Sequence, residues 1–320
     1  MVISNTGGFK GVNLRALITG ANGFIGSALC TTLIRRGVIV NRCVRSADLT
    51  FDTFSVGEVD GETDWSAPLK DCDVVVHLAG RAHQLNDWSR DPLEEYRRVN
   101  VRGSLALFSQ AAVHGIKRFV YLSSVGVNGN QTTIPFMESD LPQPFEPYAI
   151  SKLEAEVGLK KIATETGVEL VIIRPPLVYG PGAPGNFGRL VRCVRKGIPL
   201  PLGAIHNQRS LVALGNLIDF IAVCLKNPAA ANQIFLVSDG KDISTTELLK
   251  RISFLIQKPD LLLPVPSAWI EKLGIIMGQG DTVRRLCRDL QVDISKARNL
   301  LEWSPPLTLD EGLLLAINGM

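Results

Sequence analysis

Apolar and polar positions alternate in blocks along this chain. Arg15-Ala16-Leu17-Ile18-Thr19 is a short apolar run and reads as a buried parallel strand. Ile25, Leu29, Leu33 and Ile34 then recur at helical spacing between Phe24 and Arg36, and Gly37 closes that helix. Further apolar runs at 38–44, 73–78, 118–122, 170–173 and 234–237 read as strands, with helical segments between them, notably Leu93 to His114 and Tyr148 to Thr166. Strands alternating with helices predict right-handed crossovers and an α/β fold built on a doubly wound parallel sheet.

The pattern changes after Arg174-Pro175-Pro176. Gly180-Pro181-Gly182-Ala183-Pro184-Gly185 is dense in turn formers, and short helices with proline breaks follow. This divides the chain into a dinucleotide-binding Rossmann domain at 14–180 and 209–240, and a smaller, discontinuous substrate-covering region at 181–208 and 241–320. The most hydrophobic segment, Leu261 to Met277, is interrupted by Pro264, Pro266, Glu271 and Lys272, so it reads as core or substrate-region packing rather than an interfacial helix.

Composition narrows the function classes. With 320 residues and 46% apolar content the chain can bury a large core, and a net charge of +3 from dispersed basic residues points away from nucleic acid. The six cysteines lack C-x-x-C spacing, which disfavours a metal site or a disulfide framework and suits free thiols in a reducing compartment. Met1 to Asn13 lacks the apolar centre of a signal peptide, and no stretch is long enough to span a bilayer, so the expected location is cytoplasmic.

Two motifs carry chemistry. Gly20-Ala21-Asn22-Gly23-Phe24-Ile25-Gly26 lies between the first strand and the first helix. There glycines permit a tight turn, let backbone N–H groups approach a pyrophosphate, and let helix and strand pack closely. Its G-x-x-G-x-x-G spacing differs from the G-x-G-x-x-G of ordinary Rossmann dehydrogenases. Gly20, Asn22, Gly23, Phe24 and Ile25 are the candidate cofactor residues of this loop. At the end of the second strand, Arg45 and Ser46 precede the first carboxylate, Asp48. A guanidinium there pairs with a 2′-phosphate, so NADP(H) is favoured over NAD(H).

The second motif is Tyr148-Ala149-Ile150-Ser151-Lys152. A free tyrosine, with a pKa near 10, is a poor base at neutral pH, and a nearby ammonium stabilises its phenolate. Residues four apart share a helix face, so Lys152 can lie near Tyr148 and also reach a nicotinamide ribose. Ser124, at a strand end, can position the same substrate oxygen, and Asn100 can form a polar link behind the lysine.

These pieces resemble the extended short-chain dehydrogenase/reductase family, in its sugar-nucleotide epimerase/dehydratase branch. The resemblance extends from Leu17 to about Leu313. It rests on the glycine loop, His77-Leu78-Ala79-Gly80, Asn100-Val101-Arg102-Gly103, Leu122-Ser123-Ser124, Tyr148 with Lys152, Arg174 through Gly182, and the segments from Asp293 to Arg298 and Trp303-Ser304-Pro305. It implies that Ser124, Tyr148 and Lys152 are catalytic and that Asn100 supports them. It further implies that Leu78, Ala79 and Pro175 border the cofactor, and that Asn186 and Arg209 contact a UDP- or dTDP-sugar, which makes 181–208 and 241–320 the nucleotide-sugar-binding region. A homodimer joined through the helix from Tyr148 to Thr166 is also implied.

Three reactions fit the shared parts. A 4,6-dehydratase needs an added acid/base pair, which the family places where Val125 and Gly126 stand here, and neither transfers protons. A 4-keto reductase uses dissociable NAD(P)H, whereas a 4-epimerase retains NAD. Arg45 tips the reading toward reduction of a UDP-4-keto-6-deoxy-N-acetylhexosamine of the UDP-N-acetylquinovosamine type, with a UDP-hexose or UDP-N-acetylhexosamine 4-epimerase as the alternative. A non-catalytic dinucleotide sensor is the minor alternative, disfavoured because Tyr148 and Lys152 are both present.

Overall fold

The computed structural model describes residues 14–46, 52–81, 91–278 and 280–319; the expectations for Met1 to Asn13 and for Asp48 fall outside them. The chain opens with β1 (Arg15–Thr19), α1 (Phe24–Arg35), β2 (Ile39–Val44), β3 (Thr53–Ser55), α2 (Ser66–Leu69) and β4 (Val74–His77). It continues with α3 (Pro92–Tyr96), a π-helical segment (Arg97–Gly103), α4 (Ser104–Val113), β5 (Arg118–Leu122), α5 (Pro147–Thr166), β6 (Glu169–Arg174) and β7 (Leu177–Tyr179). The remainder comprises α6 (Asn186–Arg195), β8 (Leu211–Ala213), α7 (Leu214–Lys226), β9 (Ile234–Leu236), α8 (Thr245–Ile256), α9 (Ser267–Ile276), α10 (Gly280–Cys287), α11 (Ser295–Leu301) and α12 (Leu309–Asn318).

Seven strands form one parallel sheet in the order β3-β2-β1-β4-β5-β6-β9, the doubly wound arrangement that the alternating pattern predicts. Successive residues of a strand face opposite sides. Ile18, Val76 and Val120 therefore join a core with α1 and α7. Leu17, Val75 and Phe119 join another with α4 and α5. Covering both faces is what lets the strands be almost wholly apolar.

The polar exceptions inside the sheet are wired together. Register sets Thr19 opposite His77. Thr19 Oγ1 accepts from the backbone N–H of Leu78 at 3.1 Å and Ala79 at 3.0 Å, so its own hydrogen goes to His77 Nδ1 at 2.7 Å. That assigns the Nε2–H tautomer to His77, which donates to Ser104 Oγ at 2.9 Å, and Ser104 in turn donates to the Asn100 carbonyl at 2.6 Å. The helix expected from Leu93 to His114 accordingly contains a π-helical stretch centred on Asn100.

A third core lies outside the sheet. Tyr179 and Phe187 pack there with residues of α8 and α12, and β7 pairs with β8 in a separate two-stranded sheet. The segment Leu261–Met277 departs from its expectation. In α9, Ile270 and Gly274 are buried, and Gly274 sits so close to Val283 of α10 that a Cβ would lie 2.6 Å from its Cγ2. Trp269, Leu273, Ile276 and Met277 instead face solvent, because one side of this short helix has no packing partner among the described residues. Among those residues no helix is long and apolar enough to cross a membrane.

Candidate active site

The glycine loop turns between β1 and α1. Gly20 has φ of +64°, and a Cβ there would lie 3.0 Å from Ala79 N. Gly26 is tighter still: a Cβ would lie 2.1 Å from Gly20 O, so only glycine lets α1 sit on the loop. Phe24 and Ile25 pack toward the core through their side chains. As the first residues of α1, they have N–H groups with no intrahelical acceptor. A groove of about 370 Å³ runs past Gly20, Asn22, Gly23, Arg45, Leu78 and Ala79. A glycine cradle ending at a free helix N-terminus suits a pyrophosphate.

Arg45 stands at the far end of this groove with its side chain 75% exposed, 3.8 Å from Glu58. Glu58 also lines the groove, beside Arg98, which is 3.8 Å from the same carboxylate. Neither Glu58 nor Arg98 stood out in the sequence, because neither belongs to a motif: Glu58 reaches the groove from the chain that follows β3, and Arg98 from the π-helical segment.

Strand alternation separates the two serines after β5. Ser123 points inward and donates to Glu156 Oε1 at 2.6 Å. Ser124 is half-buried, and its Oγ accepts from Gly126 N at 3.1 Å. Gly126 abuts the start of α5: a Cβ there would lie 3.2 Å from Ala149 Cβ, the neighbour of Tyr148. Pro175, at the end of β6, accepts from Val125 N at 3.0 Å and so holds the serine loop from the other side.

Lys152 is buried one helical turn beyond Tyr148. It donates to Leu122 O at 2.9 Å and lies 4.5 Å from the centre of the Tyr121 ring, but 6.0 Å from that of Tyr148. A Cβ at Gly80 in the groove would lie 3.6 Å from its ammonium. Burial draws Lys152 down to about 8, which Glu156 opposes, and burial pushes Tyr148 up to about 12, with Tyr96 adding to the rise. Desolvation thus opposes the acidic tyrosine that the four-residue spacing suggests, and the ammonium hydrogen-bonds to the Leu122 carbonyl. Asn100 lies beside the same spot, since a Cβ at Gly80 would also meet its Oδ1 at 3.0 Å. It holds the Arg81 backbone at 2.8 Å and 3.2 Å and donates to Ser151 Oγ at 3.0 Å, and Ser151 donates to Tyr148 O at 2.7 Å.

On the other side of Tyr148 a cavity of about 400 Å³ brings together Tyr148, Asn186, Arg209 and Arg285 on mainly apolar walls that include Leu248. Asn186 opens α6 behind Gly185, whose φ is +77°. Arg209 is fixed by its Nη1 donating to Arg288 O at 2.9 Å; burial, and then Arg285, lower it to about 10, so it stays cationic at neutral pH. Arg285 of α10, which forms an ion pair with Glu146 at 2.5 Å, was not evident from the sequence.

Residues 16–238 match the NAD dependent epimerase/dehydratase family. The chain belongs to that family. Similar members include a UDP-glucose 4-epimerase of Vibrio cholerae, 46% identical over 92% of each chain. An N-acetyl-alpha-D-glucosaminyl-diphospho-ditrans,octacis-undecaprenol 4-epimerase of Escherichia coli O157:H7 is 29% identical over 94% of each. In fold, this family member superposes on the UDP-N-acetylglucosamine 4-epimerase of Bacillus cereus with a TM-score of 0.80 at 22% identity, covering 96% of this chain and 99% of that one. Its cysteines are unbridged, and burial pushes Cys30, Cys43, Cys72 and Cys224 up.

Proposed function

We propose that the protein is a UDP-hexose or UDP-N-acetylhexosamine 4-epimerase that retains NAD. The observation that carries this reading is the position of one helical turn. Lys152 borders the glycine-lined groove and Tyr148 lines the arginine-bearing cavity, so a sugar in the cavity meets a dinucleotide in the groove across a single pair of side chains. The 46% identity to a UDP-glucose 4-epimerase over nearly the whole chain favours epimerisation over the one-way reduction preferred from sequence. Glu58 weakens the argument that led to reduction. A carboxylate 3.8 Å from Arg45 offsets the cation meant for a 2′-phosphate and can accept from a ribose hydroxyl.

A dinucleotide held by the loop from Gly20 to Ile25 with Leu78 and Ala79 would supply a hydride acceptor that gives the hydride back. Burial holds the Tyr148 proton, and positive charge beside the ring, to which the Lys152 ammonium one turn along the helix can contribute, would make it competent as a base. Tyr148 takes the C4 hydroxyl proton as the alcohol becomes a ketone and returns it when the hydroxyl re-forms on the opposite face. Ser124 Oγ orients the same oxygen. Arg209 and Arg285 hold the diphosphate, which anchors the nucleotide end while the hexose turns over. A Cβ at residue 126 would press on Ala149 at 3.2 Å, so a side chain there would need α5 to give way slightly. In the dimeric form we propose, α5 and α4 supply the contact, with Val157 60% and Val113 86% exposed.

The test is to incubate purified protein with UDP-glucose and with UDP-N-acetylglucosamine, without added cofactor, and to follow the product by proton NMR. Appearance of the C4 epimer is expected. Reduction of a UDP-4-keto-6-deoxy sugar by added NADPH, with no epimerisation, would overturn the reading.

A further inference from the structure

Glu156 is fully buried, one helical turn beyond Lys152, so Tyr148, Lys152 and Glu156 occupy one line along α5. Its carboxylate accepts from Arg174 Nε at 2.9 Å and Nη2 at 2.6 Å, and from Ser123 Oγ at 2.6 Å. Arg174, 1% exposed at the end of β6, turns its remaining arm to Asn128 Oδ1 at 2.9 Å. Ser123 also bonds β6 through its backbone, N–H to Ile173 O at 2.7 Å. One bidentate pair thus joins the three pieces of chain that carry the site: the helix of Tyr148 and Lys152, the loop of Ser124, and the turn at Pro175.

We propose that Glu156 and Arg174 are positioning residues, whose ion pair sets the catalytic helix against the serine loop and whose carboxylate serves as the counter-charge one helical turn beyond the buried Lys152. A buried pair of this kind contributes little net stability, because desolvation offsets the attraction. A hydrophobic contact would serve the fold as well, so its geometry and its charge are what distinguish it. The groups facing Lys152 leave the carboxylate this task. Tyr148 and Glu156 come from its own helix, the Tyr121 ring from β5, neutral His77 from β4, and Arg174 from β6 behind Glu156. Among these, Glu156 is the one anion, and it opposes the desolvation that draws the lysine down to about 8.

The inference rests on the epimerase reading only for its turnover assay; its second readout needs no substrate. NMR of protein carrying isotope-labelled lysine follows the Lys152 titration, assigned by the signal lost in Lys152→Met. Glu156→Gln is expected to lower that midpoint by about one pH unit. Glu156→Asp keeps the charge but is one methylene short, so the midpoint is expected to hold while turnover falls on the order of ten- to a hundredfold. If a single variant does not fold, Glu156→Gln with Arg174→Gln removes both members of the ion pair together and is expected to show the same fall in turnover. An unmoved midpoint in Glu156→Gln, or wild-type turnover in folded Glu156→Asp or in the double variant, would overturn the proposal. Failure of the wild type to epimerise would sink the functional reading and leave the lysine titration to judge the pair.

Discussion

At the residue scale the site depends on what burial does to single groups. Tyr148 starts near 12, so its proton is held until positive charge gathers around it. Tyr148→Phe is expected to reduce epimerisation by roughly 10²–10⁴-fold while the protein still carries its dinucleotide, measured as turnover beside absorbance of the denatured supernatant. The proposed role of Arg209 is to anchor the substrate rather than to react. Arg209→Leu is expected to raise KM with kcat nearly unchanged, which steady-state kinetics would show; an equal loss in kcat would place it in the chemistry. Tyr148 and Lys152 were legible from their spacing, and Ser124 from its place at a strand end. That Ser123 serves a buried carboxylate while Ser124 faces outward follows from strand alternation. The partner, Glu156, was also readable in principle as a third residue at the same interval, but nothing in one sequence says that Arg174 folds back to meet it.

At the element scale, close packing and buried wiring hold the groove open. Gly26→Ala would force a methyl into Gly20 O, and the fit costs about 1–3 kcal/mol or more, so a lower Tm and loss of dinucleotide binding are expected together. The Thr19–His77–Ser104–Asn100 chain requires a neutral imidazole, and burial, with Lys152 assisting, draws His77 down to about 3. Between that value and the ordinary 6.5 the unfolded chain binds more protons, so stability rises with pH across this window and is lost on acidification through it. The Tm of the wild type should fall from pH 6.5 downward, and His77→Gln should remove that part of the slope even though it lowers the Tm at neutral pH. The helices and strands of this region were predictable from periodicity. The π-helical turn at Asn100 was not, because it answers to a hydroxyl on the next turn and a histidine on β4.

At the scale of the whole molecule, the proposed epimerase reading, in which the dinucleotide is retained, makes a prediction about the isolated protein. Purified protein is expected to release NAD⁺ on heat denaturation, in an amount approaching one per chain by enzymatic assay. Arg45→Ala should leave this unchanged, since Arg45 is exposed and offset by Glu58. Isolation with NADP⁺ instead, lost on that substitution, would restore the reductase reading. The doubly wound sheet was evident from the order of apolar runs, whereas the apolar content of Leu261–Met277 misled. It marked hydrophobic residues correctly but could not say that Trp269, Leu273 and Ile276 would stay exposed among the described residues.

By itself the sequence determined the sheet, the glycine cradle, the tyrosine–lysine pair and the family, because these depend on spacings within one element or across one turn. Tertiary structure decided the rest. It set Glu58 beside Arg45, joined Arg209 to Arg285, and closed Glu156 onto Arg174. Each is a meeting of charges from separate elements, and their distances and burial govern how strongly they act.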